Sequence, residues 1–176
     1  MSSPGVGRAH VVHLYEEEES LLGTAGIYLG GSLVGGDRVV VVAAKPRWEA
    51  FQGTLRAGRI DVEAARDRGQ ILFADAGEAL ERVLVNGAPD RRRFHSWAED
   101  LLKDGPRIRA YCEMEDILAG KGDFEAVRIL ESWWDDLLSR RFFPLFCAYG
   151  TKSFGGKEAA GDLRLVCAAH TEVICG

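Results

Sequence analysis

Arg38-Val-Val-Val-Val-Ala-Ala44 is the stretch of sequence that decides the fold of this chain. The four consecutive valines show no alternation of apolar and polar residues, so neither side of the strand that they form is suited to water. Strands covered on both sides are typical of parallel sheets that lie between two layers of helices. This stretch therefore predicts an α/β protein with a buried parallel sheet.

The rest of the chain alternates between short apolar runs and segments of helical periodicity. Runs that predict six strands lie at His10–Tyr15, Arg38–Ala44, Gln70–Ala74, Arg107–Cys112, Pro144–Tyr149 and Leu163–Ala168. Helices are predicted over 21–34, 46–57, 61–68, 77–85, 90–103 and 123–140, with a helical turn from Glu113. This order predicts a three-layer sandwich with a mostly parallel six-stranded sheet. The stretch Thr151–Gly161, rich in glycine and charge, predicts a mobile loop between the last two strands.

Composition and charge argue against several classes of protein. The chain has 176 residues and a formal net charge of -5, so its net charge does not attract the phosphate backbone of a nucleic acid. No apolar run comes near the ~20 residues that cross a bilayer, and the first nine residues lack the apolar core of a secretion signal. We therefore expect a cytoplasmic protein that binds neither nucleic acid nor membrane, with a disordered tail over residues 1–8. The four cysteines form no CxxC pair, which favours reduced thiols.

Polar and aromatic side chains stand where the predicted strands end. Open parallel sheets bind ligands outside the carboxyl ends of their strands, so these side chains are candidate ligand-binding residues. They are His13, Tyr15, Glu113, Tyr149 and His170. His13 and Tyr15 are two positions apart and share one face of their strand. Both can hydrogen-bond a small ligand while presenting apolar ring surface to it.

The turn after the first strand argues against nucleotide binding. A nucleotide-binding α/β protein places a glycine-rich loop there, because backbone N–H groups must hold the phosphates. This chain has Glu16–Glu19 instead, and carboxylates at a helix N-terminus repel a phosphate. His10 and His13 are three apart in a strand and point to opposite faces, which disfavours a shared metal ion. We therefore assign no catalytic residue, no metal ligand and no cofactor.

Two other classes of function stay open from the residues alone. Glu113 with His13 or His170 could act as acid and base in an enzyme that acts on a small molecule. A protein-interaction module could instead use Trp133 and Trp134, which point about 100° apart on their helix, so that one of them can lie outside the core.

Five stretches of the chain together carry a resemblance to a known family. They are His10–Glu16, Leu29–Asp37 with the valines after it, Arg107–Met114, Leu145–Tyr149 and Cys167–Val173. In these stretches the chain resembles the MEDS domain, the sensory domain named from methanogens, methylotrophs and a dichloromethane-responsive repressor. The likeness spans residues 9–174, which we treat as one domain.

The resemblance implies a RecA/KaiC-like core that lacks the Walker A loop and senses a ligand instead of catalysing a reaction. It implies that the first strand lies between the last two and that the fourth lies beyond the fifth. Tyr15, Glu113, Tyr149 and His170 would then line one rim. It also places Cys112 and Cys147 near each other on neighbouring strands, where they could form a redox pair.

Family members are commonly fused to histidine kinases, anti-sigma-factor-like modules or DNA-binding regions. We expect this chain to bind a small, largely apolar molecule at the strand ends and to signal through a separate partner. A histidine kinase or an anti-sigma-type regulator would be such a partner, and a homodimer is the other arrangement that we expect.

Overall fold

The fold is a six-stranded parallel sheet, as seen in a computed structural model that describes residues 9–103, 107–156 and 159–176. A short antiparallel hairpin forms a second sheet. The strands are β1 (His10–Tyr15), β2 (Arg38–Ala43), β3 (Ile71–Asp75), β4 (Leu84–Val85), β5 (Ala88–Pro89), β6 (Ile108–Cys112), β7 (Leu145–Gly150) and β8 (Glu172–Cys175). The order across the main sheet is β3-β2-β6-β7-β1-β8. This order confirms that the first strand lies between the last two. The tail predicted over residues 1–8 lies outside the described residues.

Helices cover both faces of the sheet, as the valine run predicts. One layer contains α1 (Glu18–Val34), α2 (Lys45–Ala57) and α3 (Val62–Asp67). The other contains α4 (Ala76–Val83), α5 (Arg91–Leu101), α6 (Met114–Gly120), α7 (Phe124–Arg141) and α8 (Ala159–Ala169). Val39 and Val41 pack into the core under the first layer, and Val40 and Val42 pack into the core under the second. All four are at most 1% exposed. The three-layer α/β prediction is confirmed.

The strand predicted over Leu163–Ala168 is wrong, because this stretch belongs to α8. Leu163, Val166 and Cys167 are spaced as one face of a helix, and they contact the core, while Leu165 is 51% exposed. The sixth strand is β8 instead. It is an edge strand whose residues are mostly exposed, and it has only three apolar residues in a row, which is shorter than the runs by which the buried strands were identified.

Two other predicted segments also differ in the structure. The helix predicted over 77–85 ends at Val83, and the chain turns through Asn86 and Gly87, which have φ of 52° and 83°. An Asn-Gly pair with positive φ at both residues is typical of a tight hairpin turn. The loop predicted over Thr151–Gly161 contains a 3-10 helix, Thr151–Phe154, and the start of α8.

The strand connections place the carboxyl ends of β1, β2, β6 and β7 side by side at one edge of the sheet, because neighbouring strands in this sheet are parallel. This is the edge at which ligand-binding residues are expected. Among the described residues, no helix combines the length and the apolar character needed to cross a membrane.

Candidate functional site

A polar cluster lies at the carboxyl edge of the sheet and includes two of the predicted residues, Tyr15 and Glu113. Tyr15 ends β1, and its hydroxyl donates to Asp116 Oδ2 over 2.9 Å. Arg47, near the start of α2, donates to the same hydroxyl over 3.0 Å. Its Nε lies 3.3 Å from Glu113 Oε2. We call Tyr15, Arg47, Glu113 and Asp116 the polar rim.

Glu113 anchors the polar rim to two strands. Its Oε1 accepts the backbone N–H of Ala44 at 2.7 Å, at the point where β2 passes into α2. Its Oε2 accepts the hydroxyl of buried Tyr111 at 2.9 Å. Burial raises the pKa of the Glu113 carboxyl, and the Ala44 N–H and Arg47 oppose that rise. Both oxygens of Glu113 therefore have partners within the protein.

Asp116 holds the other side of the polar rim. Its Oδ1 accepts the backbone N–H of Gly150 at 2.9 Å, so the carboxyl joins the end of β7 to Tyr15. Burial raises the pKa of Asp116, and it also raises the pKa of Tyr15, an effect that the nearby Asp116 charge strengthens. The Tyr15 hydroxyl therefore remains a protonated donor at neutral pH. Arg47 and Asp116 belong to no motif and do not stand at the end of a strand, so nothing in the sequence indicated them.

His13 is fully buried on the same sheet face as Tyr15. The two rings are 6.3 Å apart, and Nε2 of His13 lies 3.5 Å from the Ser20 hydroxyl. In the part of the chain that the structure describes, Nδ1 of His13 has no hydrogen-bond partner. Burial lowers the pKa of His13.

The lowered pKa of His13 predicts a loss of stability in mild acid. The unfolded chain takes up a proton on this residue near its ordinary pKa of 6.5, whereas the folded chain resists it, so stability falls as the pH drops through that value. We expect the free energy of unfolding to depend less steeply on pH in His13→Phe than in the wild type between pH 7 and 5. The slope should be smaller by up to about 1.4 kcal/mol per pH unit. Urea unfolding at several pH values measures this slope. Ser20→Ala keeps the imidazole and should keep the slope, and an unchanged slope in His13→Phe would contradict the prediction.

The other two predicted residues do not lie on the polar rim. Tyr149 pairs in register with Leu14, and Gly150 pairs with Tyr15, so the Tyr149 side chain points to the opposite face from Tyr15. His170 lies close to His10, the first residue of β1, with 3.9 Å between the ring centroids. His170 was predicted to follow the last strand, but the last strand is β8, and His170 precedes it. The expectation of one rim with all four residues is therefore wrong.

His170 instead belongs to a buried polar cluster between the sheet and α7, and Tyr149 contacts a member of that cluster. The Tyr149 hydroxyl donates to Glu131 Oε1, and Glu131 is 3% exposed. Glu131 Oε2 lies 3.4 Å from His10 Nε2 and 3.6 Å from His170 Nε2. His10 Nε2 is also 3.5 Å from the sulfur of Cys147. We call His10, Glu131, Cys147 and His170 the buried cluster.

Burial sets the protonation of the groups in and beside the buried cluster. It raises the pKa of Glu131, and the neighbouring Glu115 adds to that rise. It lowers the pKa of His170 to about 4, so this imidazole is neutral at pH 7. Glu131 was not among the residues predicted from the sequence, although its position indicates a buried carboxyl group. It lies four residues after buried Val127 and three before buried Trp134, on the apolar face of α7.

Cys112 and Cys147 are register partners on β6 and β7, as the resemblance implies. Both are free thiols and at most 1% exposed. Burial raises the pKa of each, which favours the unreactive thiol form. Their role as a redox pair stays a prediction.

The tryptophan pair of α7 lies against the core. Trp134 is 1% exposed, and Trp133 is partly buried against the same core, 5.5 Å from the Phe94 ring. Among the described residues, the exposed large apolar side chains lie elsewhere. They are Ile27, Val34, Phe142, Leu165 and Val173.

Comparison with known proteins identifies the class of protein to which this chain belongs. The profile of the MEDS family, described as the methanogen/methylotroph, DcmR sensory domain, matches residues 9–170. The chain therefore belongs to the MEDS family of sensory domains. Membership of a sensory family indicates a sensory or signalling role and favours a protein that is not an enzyme.

Similarity to a solved structure supports the fold and carries no information about function. A protein of Pyrococcus horikoshii OT3, described only as the target of a structural study, is similar with a TM-score of 0.53 and 12% identity. The likeness covers 96% of this chain and 82% of the other. No curated protein matches the chain.

Proposed function

We propose that this protein is a cytoplasmic, non-catalytic sensory domain that binds a small molecule at the polar rim and relays the binding to a separate signalling protein. The family match supports the sensory role. One observation supports the location of the binding site. The Arg47 guanidinium contacts Tyr15 and Glu113 at the ends of two strands. A ligand that competes for this cation changes contacts to β1 and β6 together.

The contacts of Glu113 favour binding over catalysis. A general acid or base must exchange its proton with the substrate, and so it needs an oxygen that can reach the substrate. Both Glu113 oxygens are held by Ala44, Tyr111 and Arg47. The enzyme hypothesis, with Glu113 and His13 or His170 as acid and base, is tested by turnover in the experiment below.

The charged groups of the polar rim limit which kinds of ligand can bind there. The rim contains one guanidinium and two carboxyl groups, and burying such groups against a wholly apolar ligand leaves them without solvent. We therefore propose a small molecule with at least one hydrogen-bonding group beside its apolar part. Arg47 and the Tyr15 hydroxyl are the groups that would receive it.

Helix α1 offers a path from the polar rim to a partner. Near its start, Glu18 accepts a hydrogen bond from Arg47 over 2.9 Å. Farther along, Ile27 is 79% exposed and borders a cavity of about 530 Å³ at the amino edge of the sheet. Phe142, which is 63% exposed, borders the same cavity. Exposed apolar side chains of this size are typical of interaction surfaces. We propose this edge for a histidine kinase, an anti-sigma-type regulator or a second copy of the chain.

A metabolite screen by thermal shift, followed by mass spectrometry of each hit, tests the proposal. We expect a hit that raises the melting temperature of the wild-type protein and is recovered unchanged. Arg47→Met should weaken its binding by at least about tenfold, because one charge-assisted hydrogen bond is lost. Each shift is measured against the same variant without ligand. Magnesium-ATP, included in the screen, should give no shift.

Arg56→Met is the matched control, since Arg56 lies on the same helix and pairs with Glu63 at the surface. This variant should bind the hit as the wild type does. Equal binding by both variants would place the ligand away from the polar rim. Chemical conversion of the hit would support the enzyme hypothesis instead.

A further inference from the structure

We propose that the buried cluster of His10, Glu131, Cys147 and His170 is a binding site for one divalent transition-metal ion of the zinc class. One atom from each residue contributes, and all four atoms lie within 4.8 Å of one another. Two imidazole nitrogens, a carboxylate oxygen and a thiolate form a ligand set that suits Zn²⁺ and Co²⁺. This site lies on the opposite face of the sheet from the polar rim and does not depend on it.

Three of the six separations between the ligand atoms match a four-coordinate ion, and the other three are at most 4.8 Å. Metal–ligand bonds of about 2.0–2.3 Å in a tetrahedral site separate the ligand atoms by about 3.3–3.7 Å. His10 Nε2 lies 3.4 Å from Glu131 Oε2 and 3.5 Å from Cys147 Sγ, and His170 Nε2 lies 3.6 Å from Glu131 Oε2. These three separations fall within that range. A small movement of side chains would therefore close the site around an ion.

Hydrogen bonds orient both imidazoles toward the centre of the site. His170 Nδ1 lies 2.7 Å from the Val166 carbonyl oxygen and must donate to it, so the neutral ring carries its lone pair on Nε2. His10 Nδ1 lies 2.9 Å from Asp135 Oδ1, which fixes the same arrangement in its neutral ring. A carboxylate or carbonyl behind each histidine is the usual environment of a metal-bound imidazole.

Two polar atoms of the buried cluster have no hydrogen-bond partner. Within the described residues, Glu131 Oε2 and His170 Nε2 are buried and without such a partner, and both are acceptors when deprotonated. Acceptors about 3.5 Å apart in a buried site repel each other unless a cation or a proton lies between them. The other oxygen of Glu131 is held by Tyr149. The free oxygen is therefore the one available to an ion.

An ion would also balance the charge of the site. Binding releases the Cys147 proton, so the thiolate and the Glu131 carboxylate together offset the two positive charges of the metal. All four ligands come from the protein, which is typical of a structural or sensing site and not of a catalytic one. A groove of about 180 Å³ between α7 and α8, bordered by Glu131 and Asp135, gives a route of entry.

Titration of the metal-free 176-residue chain with Co²⁺ tests the site. We expect one equivalent to bind with visible bands of a tetrahedral ion and a near-ultraviolet thiolate-to-cobalt band, and Zn²⁺ should displace it. Cys147→Ser should abolish the thiolate band and weaken binding by on the order of 100-fold, since a ligand is lost. Asp135→Asn, which changes only the group behind His10, should weaken binding by about tenfold.

Cys112→Ala is the matched control, because Cys112 is the register partner of Cys147 but does not belong to the buried cluster. It should retain the bands and the affinity. If Cys147→Ser does not fold, as judged by circular dichroism, His170→Ala replaces it and should lose at least as much affinity. The proposal fails if no tetrahedral bands form or if binding persists unchanged in these ligand variants. It also fails if Cys112→Ala loses the bands while Cys147→Ser keeps them.

Discussion

Replacing Trp134 with alanine is expected to lower the free energy of unfolding by about 4 kcal/mol. The indole is 1% exposed and contacts the rings of Phe94 and Trp97, at 5.0 and 6.1 Å between centroids. Its Nε1–H donates to Glu115 Oε1 over 2.8 Å. The variant therefore leaves a large cavity and a buried carboxyl that has lost a donor. A loss of this size is a large part of the 5–15 kcal/mol that stabilises a typical domain.

Urea unfolding followed by circular dichroism measures the Trp134 effect. Trp133→Ala is the control, because this neighbour is only partly buried, and it should cost less than half as much. This comparison also tests the hypothesis of a protein-interaction module. If Trp134→Ala keeps wild-type stability but loses association in light scattering, α7 is an interaction surface and the core assignment is wrong.

Glu113→Ala is expected to cost about 3 kcal/mol, the second-largest effect, because it removes one carboxyl that three groups share. The Ala44 N–H and the buried Tyr111 hydroxyl lose their acceptor. Arg47, whose side chain is 15% exposed, loses its least exposed ion-pair partner. Chemical unfolding at pH 7 gives the magnitude.

Glu113→Gln separates the hydrogen bonds of this residue from its charge. The amide oxygen can still accept from Ala44, and the side chain keeps its volume, so we expect a cost of only about 1 kcal/mol. Equal losses in the two variants would show that the ion pair with Arg47 dominates. A loss below 1 kcal/mol in Glu113→Ala would contradict the role of Glu113 as the anchor of the polar rim.

Local patterns predicted the fold well where burial is uniform along an element. The valines of β2 are apolar at every position, and the structure buries them on both faces. The same criterion fails at the edge of the sheet. β8 is largely exposed and has only three apolar residues in a row, whereas α8 has enough apolar residues to resemble a strand when helical spacing is overlooked.

The polar rim was half predictable from strand ends. Tyr15 and Glu113 stand at or directly after the ends of β1 and β6, so position along the chain is enough to find them. Arg47 and Asp116 come from α2 and α6, and only the order of the strands brings these helices together at that edge. The ligand-binding roles of His13, Tyr15, Glu113, Tyr149 and His170 stay predictions.

By itself the sequence determined the α/β class, the parallel sheet, the acidic stretch Glu16–Glu19 after the first strand and the likeness to MEDS sensory domains. These features depend on residues that are neighbours in the chain, because the order of the residues within a segment sets its burial pattern and its charge. Only the tertiary structure decided which polar groups meet. His10, Glu131, Cys147 and His170 lie up to 160 residues apart, and they converge because the strand order places β1 between β7 and β8 while α7 covers that face. A register shift of one residue between β1 and β7 would put the His10 and Cys147 side chains on opposite faces of the sheet, because side chains alternate along a strand.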